Sequence, residues 1–101
     1  PIIMDVTNED QVKFAMQETV KKWGKLTTCI NCAGISPPMK TLGKKGVHSL
    51  DLFSKVLLVN AVGTFNVCRL AAEVMSLNGE DEDGLKGLII NTASIAAYEG
   101  I

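Results

Sequence analysis

Small and polar residues follow three apolar runs of the sequence, and these residues are the ones that could do chemistry. We call them the first motif (Asp5-Val6), the second motif (Asn31-Cys32-Ala33-Gly34) and the third motif (Asn91-Thr92-Ala93-Ser94). In open α/β sheets, ligands bind outside the carboxyl ends of the strands. Asp and Asn also begin ordinary turns and Gly permits tight bends, so each motif alone has a purely structural explanation. Together the three motifs predict a ligand-binding edge of a sheet.

Asn60 is a further candidate, because it falls on the apolar stripe of a predicted helix. A buried amide without a hydrogen-bond partner costs about 1–3 kcal/mol. Two interpretations follow from the residues alone. Asn60 bends the helix and bonds to nearby backbone, with Gly63 beside it allowing close packing, or it points a polar group at a site on the sheet edge.

The elements that must position these residues alternate as strand, helix, strand, helix, strand. Strands are predicted at residues 1–5, 26–31 and 87–92, the last apolar throughout as in a strand buried on both faces. Apolar residues recur at helical spacing from Val12 to Trp23 and again from Phe53 to Val74. Helix-length connections between strands are typical of a parallel sheet, so the predicted fold class is α/β.

Capping residues and loops mark the limits of these elements. Thr7 or Asn8 is a candidate N-cap of the first helix, and Ser49 of the second. Residues 35–48 are rich in Pro, Gly and Lys and are predicted to form a loop. The segment 78–84, which is rich in Asp and Glu, does not match the calcium-loop pattern and is predicted to form a solvated surface loop.

Length, composition and charge exclude several classes of protein. The 101 residues suit one compact domain at most, and 47% hydrophobic residues argue against a disordered chain. The 10 basic and 11 acidic residues leave a net charge of −1, which gives no electrostatic reason to expect nucleic acid or an anionic membrane as partner. No apolar run is expected to approach the ~20 residues of a membrane-spanning helix.

The three cysteines are predicted to be structural. Cys29 and Cys32 form a C-x-x-C pair, but a zinc site needs about four ligands, and the only histidine is His48. We therefore predict no metal site. The pair lies in and just after a strand-like run and not at a helix N-terminus, where a thiol pKa is lowered. Buried or backbone-facing thiols, including Cys68, suit a reducing compartment.

The order of the motifs resembles the short-chain dehydrogenase/reductase family over essentially the whole chain. The first motif, the second motif, Val59-Asn60 with Gly63-Thr64-Phe65, and Ile90-Asn91 leading into the third motif occur in the family's order and at its spacing. The resemblance implies that residues 1–101 are the central part of a single NAD-binding Rossmann-type domain, a fragment of a doubly wound parallel sheet. In the order 3-2-1-4-5-6 the three predicted strands would be strands 3, 4 and 5.

Within the family the sequence is most similar to the branch of type 2 3-hydroxyacyl-CoA dehydrogenases, also called 17β-hydroxysteroid dehydrogenases type 10. Three features carry this similarity. They are the Asn-Cys-Ala-Gly form of the second motif, the Lys44-Lys45-Gly46 loop, and the acidic, glycine-containing insertion before the strand that leads to Ser94.

The resemblance also implies roles for single residues. Asp5 would accept a hydrogen bond from the adenine amino group, with Val6 beside it. The small residues of Asn31-Cys32-Ala33-Gly34 would let the backbone approach the adenosine ribose, Cys32 through its backbone more than its thiol. Ser94 would bind the substrate and donate a hydrogen bond to its oxygen as charge develops there. Asn60 would hold a water of the proton relay through its bent backbone.

Two parts of the family's machinery are not among the 101 residues. One is the glycine-rich turn that holds the pyrophosphate, and the other is the Tyr-x-x-x-Lys pair that acts as general acid and base. Tyr98 is the only tyrosine and lies too soon after Ser94 for that role, so it is expected to be a packing residue. The acidic residue that selects NAD over NADP is also absent, and NAD is implied by the branch alone.

The resulting expectation is an NAD-dependent oxidoreductase that interconverts a secondary alcohol and a ketone. Its substrate would be a small molecule, an (S)-3-hydroxyacyl-CoA or a hydroxysteroid, and the fragment alone would be inactive. The branch further implies a mitochondrial homo-oligomer when the protein is full length, with residues 49–77 in a subunit interface; a cytoplasmic location is the alternative.

Other functions stay open at this level. A 3-oxoacyl carrier-protein reductase using NADPH is a rival within the family, and a non-catalytic structural relative is a rival outside enzymes. A phospho-acceptor receiver domain could use Asp5 and Thr92, but the acidic cluster it needs is not visible. A serine hydrolase is disfavoured because Ser94 lacks a glycine-framed elbow.

Overall fold

Helices alternate with parallel strands along the chain, and the α/β class predicted from the sequence is confirmed. A computed structural model describes residues 1–100. Its elements, in chain order, are α1 (Glu9–Trp23), β1 (Thr28–Asn31), β2 (Leu42–Gly43), β3 (Gly46–Val47), α2 (Leu50–Leu57), a π-helical turn (Leu58–Gly63), α3 (Thr64–Met75), β4 (Leu88–Asn91) and α4 (Ala96–Glu99). β2 and β3 form a short antiparallel hairpin inside the segment predicted to be a loop.

β1 and β4 are hydrogen-bonded neighbours in a parallel sheet, with Thr28 paired to Leu88 and Asn31 paired to Asn91. Both strands therefore end at the same level, and the residues that follow them emerge at one edge. At the opposite end, the Asn78 side chain donates to Leu26 O at 2.6 Å and Lys86 O at 2.9 Å, which ties the two strand starts together.

The helix ends follow the predicted capping residues. Asn8 Oδ1 accepts from Gln11 N at 3.0 Å at the start of α1, and Ser49 Oγ accepts from Leu52 N at 3.2 Å at the start of α2. α1 ends at Gly24, whose φ of 91° is a left-handed conformation that favours glycine, and its N–H bonds to Val20 O.

One helical layer covers one face of the strand pair. α3 contacts α1 and both strands. The buried apolar side chains come from α1 and α3 alone: Val12, Met16, Val67, Leu70, Ala71 and Met75. At the rim of this contact, Glu9 Oε1 lies 2.9 Å from Arg69 Nη2 and 3.4 Å from Lys13 Nζ. Hydrogen bonds from Arg69 and then Lys13 lower the pKa of the Glu9 carboxyl.

The other face of the sheet is open. Thr28, Ile30, Leu88 and Ile90 are exposed, so the prediction that the last strand is buried on both faces is wrong for this chain. A doubly wound sheet carries helices on both faces, and residues 1–100 contribute helices to one. Tyr98 is 90% exposed, so its predicted packing role is also wrong within these residues.

Residues 1–5 form no strand, although their apolar run predicts one. Ile3 is fully exposed, because the strands that would lie between it and β1 in the predicted sheet order are not among the described residues. The radius of gyration is 17.0 Å, whereas a compact domain of about 100 residues has about 13 Å. The chain is therefore more open than an independently folded domain.

The continuous helical stretch Leu50–Met75 is long and apolar enough, by length and composition alone, to cross a membrane. The expectation that no apolar run approaches this length is therefore wrong by that criterion. In the structure, α3 packs its inner face on α1 and the strands, and Asn60 and Asn66 lie in the middle of the stretch. An apolar helix that covers a sheet has the same composition.

We expect the 101-residue chain alone to unfold gradually and to self-associate, because the edge of β1 and the outer sheet face are unpaired and apolar. Circular dichroism on heating and sedimentation velocity measure the two properties. A sharp, cooperative transition of a monomer would contradict the expectation.

Candidate functional site

The ends of β1 and β4 are joined through their side chains. Asn31 Nδ2 donates to Asn91 Oδ1 at 2.8 Å, and the Cys68 thiol of α3 lies 3.4 Å from the same oxygen. Asn31 Nδ2 also lies 3.5 Å from Cys68 Sγ. Asn31 is buried, and its amide is held from both the neighbouring strand and the covering helix. The second and third motifs therefore both begin at this hydrogen-bonded contact between Asn31 and Asn91.

Beyond this point the second and third motifs stay side by side. Thr92 N donates to Asn31 O at 3.1 Å, and Thr92 Oγ1 lies 3.7 Å from Cys32 Sγ. Cys32, Ala33 and Gly34 are all exposed. Their small side chains leave the backbone of the second motif accessible to a ligand at the sheet edge.

Asn60 lies in the π-helical turn, and its side chain makes two hydrogen bonds to the backbone of Ile35, the residue that follows the second motif. Its Oδ1 accepts from Ile35 N and its Nδ2 donates to Ile35 O, both at 2.8 Å. The interpretation that Asn60 bonds to backbone is confirmed, with a partner 25 residues away in the chain, and the amide is not a free group aimed at a ligand. A Cβ at Gly34 would lie 3.5 Å from Asn60 Oδ1, so the second motif rests against this side chain.

The first motif is attached to the same stretch of helix. Asn66 Nδ2 donates to Val6 O at 2.9 Å, and the Val6 side chain packs against Gly63. Asp5 Oδ1 accepts from Thr7 N at 2.9 Å and from Thr7 Oγ1 at 2.7 Å. These backbone and side-chain hydrogen bonds lower the pKa of the Asp5 carboxyl, which favours its charged form.

Ser94 follows β4 by three residues and is exposed. Its Oγ accepts from Ala96 N, the first residue of the single turn of α4, at 3.1 Å. Because a hydroxyl has one donor and two acceptor positions, this bond leaves the O–H of Ser94 able to donate.

The three motifs are thus brought to one edge of the sheet by residues 60–66. Asn60 holds the second motif, Gly63 and Asn66 hold the first, and Cys68, two residues after Asn66, holds the start of the third. A cavity of about 270 Å³ follows the free edge of β1 and is lined by Val6 together with Asn31, Cys32 and Ala33. Residues from the first and second motifs therefore share one cavity.

The cysteines are free thiols, and among residues 1–100 no group of three or more His, Cys, Asp or Glu could hold a metal ion. Cys29 and Cys68 are half-buried, whereas Cys32 is exposed, so none of the three thiols is fully buried. Desolvation, with Cys68 nearby, raises the pKa of the Cys29 thiol.

Two residues that hold the site were missed in the sequence. Asn66 is buried and bridges Val6 O and the Arg69 side chain, and Cys68 contacts both strand-end asparagines. Asn66 lies three residues after Gly63 and so shares its helix face, which could have identified it. Nothing local to Cys68 points to its contacts, because they lie 23 and 37 residues away.

The comparisons with known proteins cover all or nearly all of the chain. The family model described as short chain dehydrogenase matches residues 1–101. Two proteins described as 3-hydroxyacyl-CoA dehydrogenase type-2 are similar: that of Homo sapiens is 49% identical and that of Rattus norvegicus 47%, each over 98 residues. Both alignments cover 95% of this chain, and the chain spans 38% of the length of these curated relatives.

A solved structure of a protein with the same description also matches this chain. The crystal structure of 3-hydroxyacyl-CoA dehydrogenase type-2 from Mycobacterium avium superposes with a TM-score of 0.87 at 31% sequence identity. The match covers 98% of this chain and 39% of that one.

Replacing Gly63 by Ala is expected to displace the first motif. The new Cβ would lie 2.5 Å from Val6 Cγ2 and 3.4 Å from Leu58 O, so the helix and the Val6 segment must separate. Overpacking of this kind costs about 1–3 kcal/mol, measurable by urea denaturation of the full-length protein. Gly79→Ala is the matched control, because no atom lies within 4 Å of its added Cβ. Equal stability of the two variants would show that Val6 does not pack on Gly63.

Proposed function

The chain belongs to the short chain dehydrogenase family, and from that premise we propose that it is the central part of an NAD-dependent oxidoreductase that interconverts a secondary alcohol and a ketone. The observation that carries the proposal is the attachment of all three motifs to residues 60–66 and Cys68 at one edge of a parallel sheet. This is the edge at which α/β folds bind nucleotides.

The proposed substrate is an (S)-3-hydroxyacyl-CoA, oxidised to the 3-oxoacyl-CoA. The names of the relatives at 44–49% identity support this choice. Activity on hydroxysteroids is a secondary part of the proposal and rests on the branch that the sequence resembles.

The residues present fit the adenosine half of a nicotinamide cofactor. The ionised Asp5 carboxylate uses Oδ1 for Thr7, which leaves Oδ2 as an acceptor for an adenine amino group. Exposed Ala33 and Gly34 admit a ribose close to the backbone. When bound, the cofactor supplies a hydride acceptor. The preference for NAD over NADP rests on the branch.

Ser94 is the proposed substrate-binding and catalytic residue of this segment. Its oxygen is positioned by Ala96 N in the turn after β4, while the O–H can donate to the substrate oxygen. A preorganised donor stabilises negative charge on that oxygen more in the transition state than in the ground state.

Asn60 contributes through the backbone of the π-helical turn. Because its amide is committed to Ile35, the side chain keeps the turn and the second motif in one arrangement. Single π-helical turns occur frequently at functional sites, and we propose that a backbone carbonyl of this turn holds a water of the proton relay.

We propose that a longer chain supplies the remaining parts of the active site. The family's tyrosine and lysine, its glycine-rich turn and the strands that separate residues 2–5 from β1 would come from outside the 101 residues. The apolar cavity along the free edge of β1, with Val12 and Met16 on its wall, is suited to a neighbouring strand.

We also propose that the full-length protein is a homo-oligomer that acts in mitochondria. The location rests on the resemblance alone. Support for the oligomer comes from apolar side chains of the long helical stretch that stay exposed: Phe53, Leu57, Val62 and Phe65 are each about half exposed or more. An apolar surface of this kind marks a protein contact site in soluble proteins.

Ser94→Ala in the full-length protein is expected to lower kcat by about 10²–10³ with a smaller change in KM, because the lost donor acts on developing charge. Steady-state oxidation of a short 3-hydroxyacyl-CoA, followed by NADH absorbance, measures both constants. Ser76→Ala is the control: it removes an exposed serine whose hydroxyl bonds only to Glu73 O at the far end of α3. A wild-type kcat for Ser94→Ala would remove the residue from the mechanism.

The 101-residue chain alone is expected to transfer no hydride with either NAD or NADP, since its acid and base are absent. The assay is the same absorbance measurement with purified chain at high concentration. Hydride transfer by the purified chain that is lost in its Ser94→Ala variant would show that the 101 residues suffice for the reaction.

A further inference from the structure

Arg69 lies where α3 meets the start of α1, and the proposed reaction gives it no role. Its Nη2 donates to Asn66 Oδ1 at 2.8 Å and lies 2.9 Å from Glu9 Oε1. Each Nη atom of a guanidinium carries two N–H groups, so both donors of this nitrogen are used. The Arg69 and Glu9 side chains are 41% and 51% exposed, whereas Asn66 is buried. Arg69 therefore connects an exposed carboxylate to a buried amide.

The guanidinium determines which way the Asn66 amide points. An arginine side chain donates hydrogen bonds and accepts none, so the amide must turn its oxygen towards Arg69. Its nitrogen then faces the first motif, where Asn66 Nδ2 donates to Val6 O at 2.9 Å. If the amide were reversed, two oxygens would face each other at Val6 and two donors would face each other at Arg69. The bond that holds the first motif therefore depends on Arg69.

Glu9 attaches the same chain segment to α3 at a second point. It is the first residue of α1 and lies three positions after Val6. Val6 is joined to α3 through Asn66, and Glu9 is joined to α3 through Arg69. The segment between Val6 and Glu9 thus has one attachment at each end, and Arg69 takes part in both.

The turn that carries the Asp5 carboxylate is closed by its own hydrogen bonds. Asn8 N donates to Asp5 O at 3.0 Å, and Asp5 N donates to Gln11 Oε1 at 2.7 Å. Thr7 donates twice to Asp5 Oδ1, which fixes the orientation of the carboxylate within the turn. The position of the turn relative to α3 is a separate matter, and the two attachments of the preceding paragraph set it.

We propose that Arg69 is a positioning residue for the adenosine end of the dinucleotide cofactor. It acts through Asn66 and Glu9, and together they place Asp5 Oδ2 at the position where the adenine amino group is received. This inference rests on the proposed function, because it takes Asp5 as the acceptor for that amino group. Arg69 needs no contact with the cofactor for this role. A change at Arg69 should therefore alter how well the protein distinguishes adenine from a base that lacks the amino group.

The test compares NADH with nicotinamide hypoxanthine dinucleotide in its reduced form, which has an oxo group in place of the adenine amino group. Calorimetry measures the binding of each to the full-length protein. One hydrogen bond to a carboxylate corresponds to a preference for NADH of about tenfold. Arg69→Met, which keeps an unbranched stem, is expected to lower this preference to about threefold or less. Asn66→Asp keeps the shape of the side chain but loses the Nδ2 donor, and should have the same effect.

Lys13→Met is the matched control. Lys13 Nζ lies 3.4 Å from the same Glu9 oxygen, but among residues 1–100 only Arg69 connects that carboxylate to Asn66. The control should keep the full preference for NADH, and Arg69→Lys, which retains a donor towards Asn66, should restore most of it. Equal weakening of both dinucleotides in Arg69→Met would show a merely structural role and overturn the inference. An equal loss of preference in the Lys13 variant would also overturn it.

Turnover separates this inference from the proposed function. Reduction of a 3-oxoacyl-CoA by NADH, with a preference that Arg69→Met leaves intact, would overturn the positioning role and keep the reaction. A preference that depends on Arg69 in a full-length protein without dehydrogenase activity would do the reverse. Equal binding of both dinucleotides by the wild-type protein would overturn the positioning role, and binding of neither would overturn both proposals.

Discussion

The hydrogen bond from Asn31 to Asn91 is the interaction on which the arrangement of the site depends. It joins two parallel strands at the residue where both end, and Cys68 of α3 closes the contact from above. An amide that is buried must be satisfied, and the buried Asn31 amide finds its main partner in the Asn91 side chain. A shift in strand register would separate them and leave a buried polar group unpaired, so the same contact that holds the sheet edge also selects the pairing of β1 with β4.

Residues 60–66 hold the chain segments of the first and second motifs by hydrogen bonds and packing. Asn60 uses both ends of its amide on one residue, Ile35, which fixes the chain leaving β1. Asn66 and Gly63 hold Val6, which belongs to a segment with no strand partner of its own in this chain. The helix therefore holds the first motif in place of a neighbouring strand, and the edge is assembled although residues 1–100 contribute only two parallel strands to it.

Much of this could be predicted from the sequence, and the rest depends on contacts distant in sequence. Periodicity and caps located α1 and α2 because Asn8, Ser49 and Gly24 act on the backbone within a few residues. The three motifs could be predicted because strand ends in parallel sheets share an edge. Solvent exposure of Ile3, Ile90 and Tyr98 could not, because burial depends on what covers a residue and not on its own hydrophobicity. The contacts of Cys68 depend on strand register, which no local pattern specifies.

The π-helical turn has a geometric consequence for the whole of Leu50–Met75. Its wider backbone advances each residue by less than the roughly 100° of an α-helix, so the side of α2 that follows Phe53 and Val56 is out of phase with the inner side of α3. The apolar stripe read from the sequence as one face is also divided in its burial, because among residues 1–100 only α3 has other helices and strands packed on it: α3 buries five residues, and α2 buries none. A one-residue deletion within Leu58–Gly63 would restore the ordinary phase and rotate α2 by about 100° relative to α3. The six residues of the turn therefore set the angle between the side chains of α2 and those of α3, so that two helices that are continuous in sequence direct their apolar side chains differently.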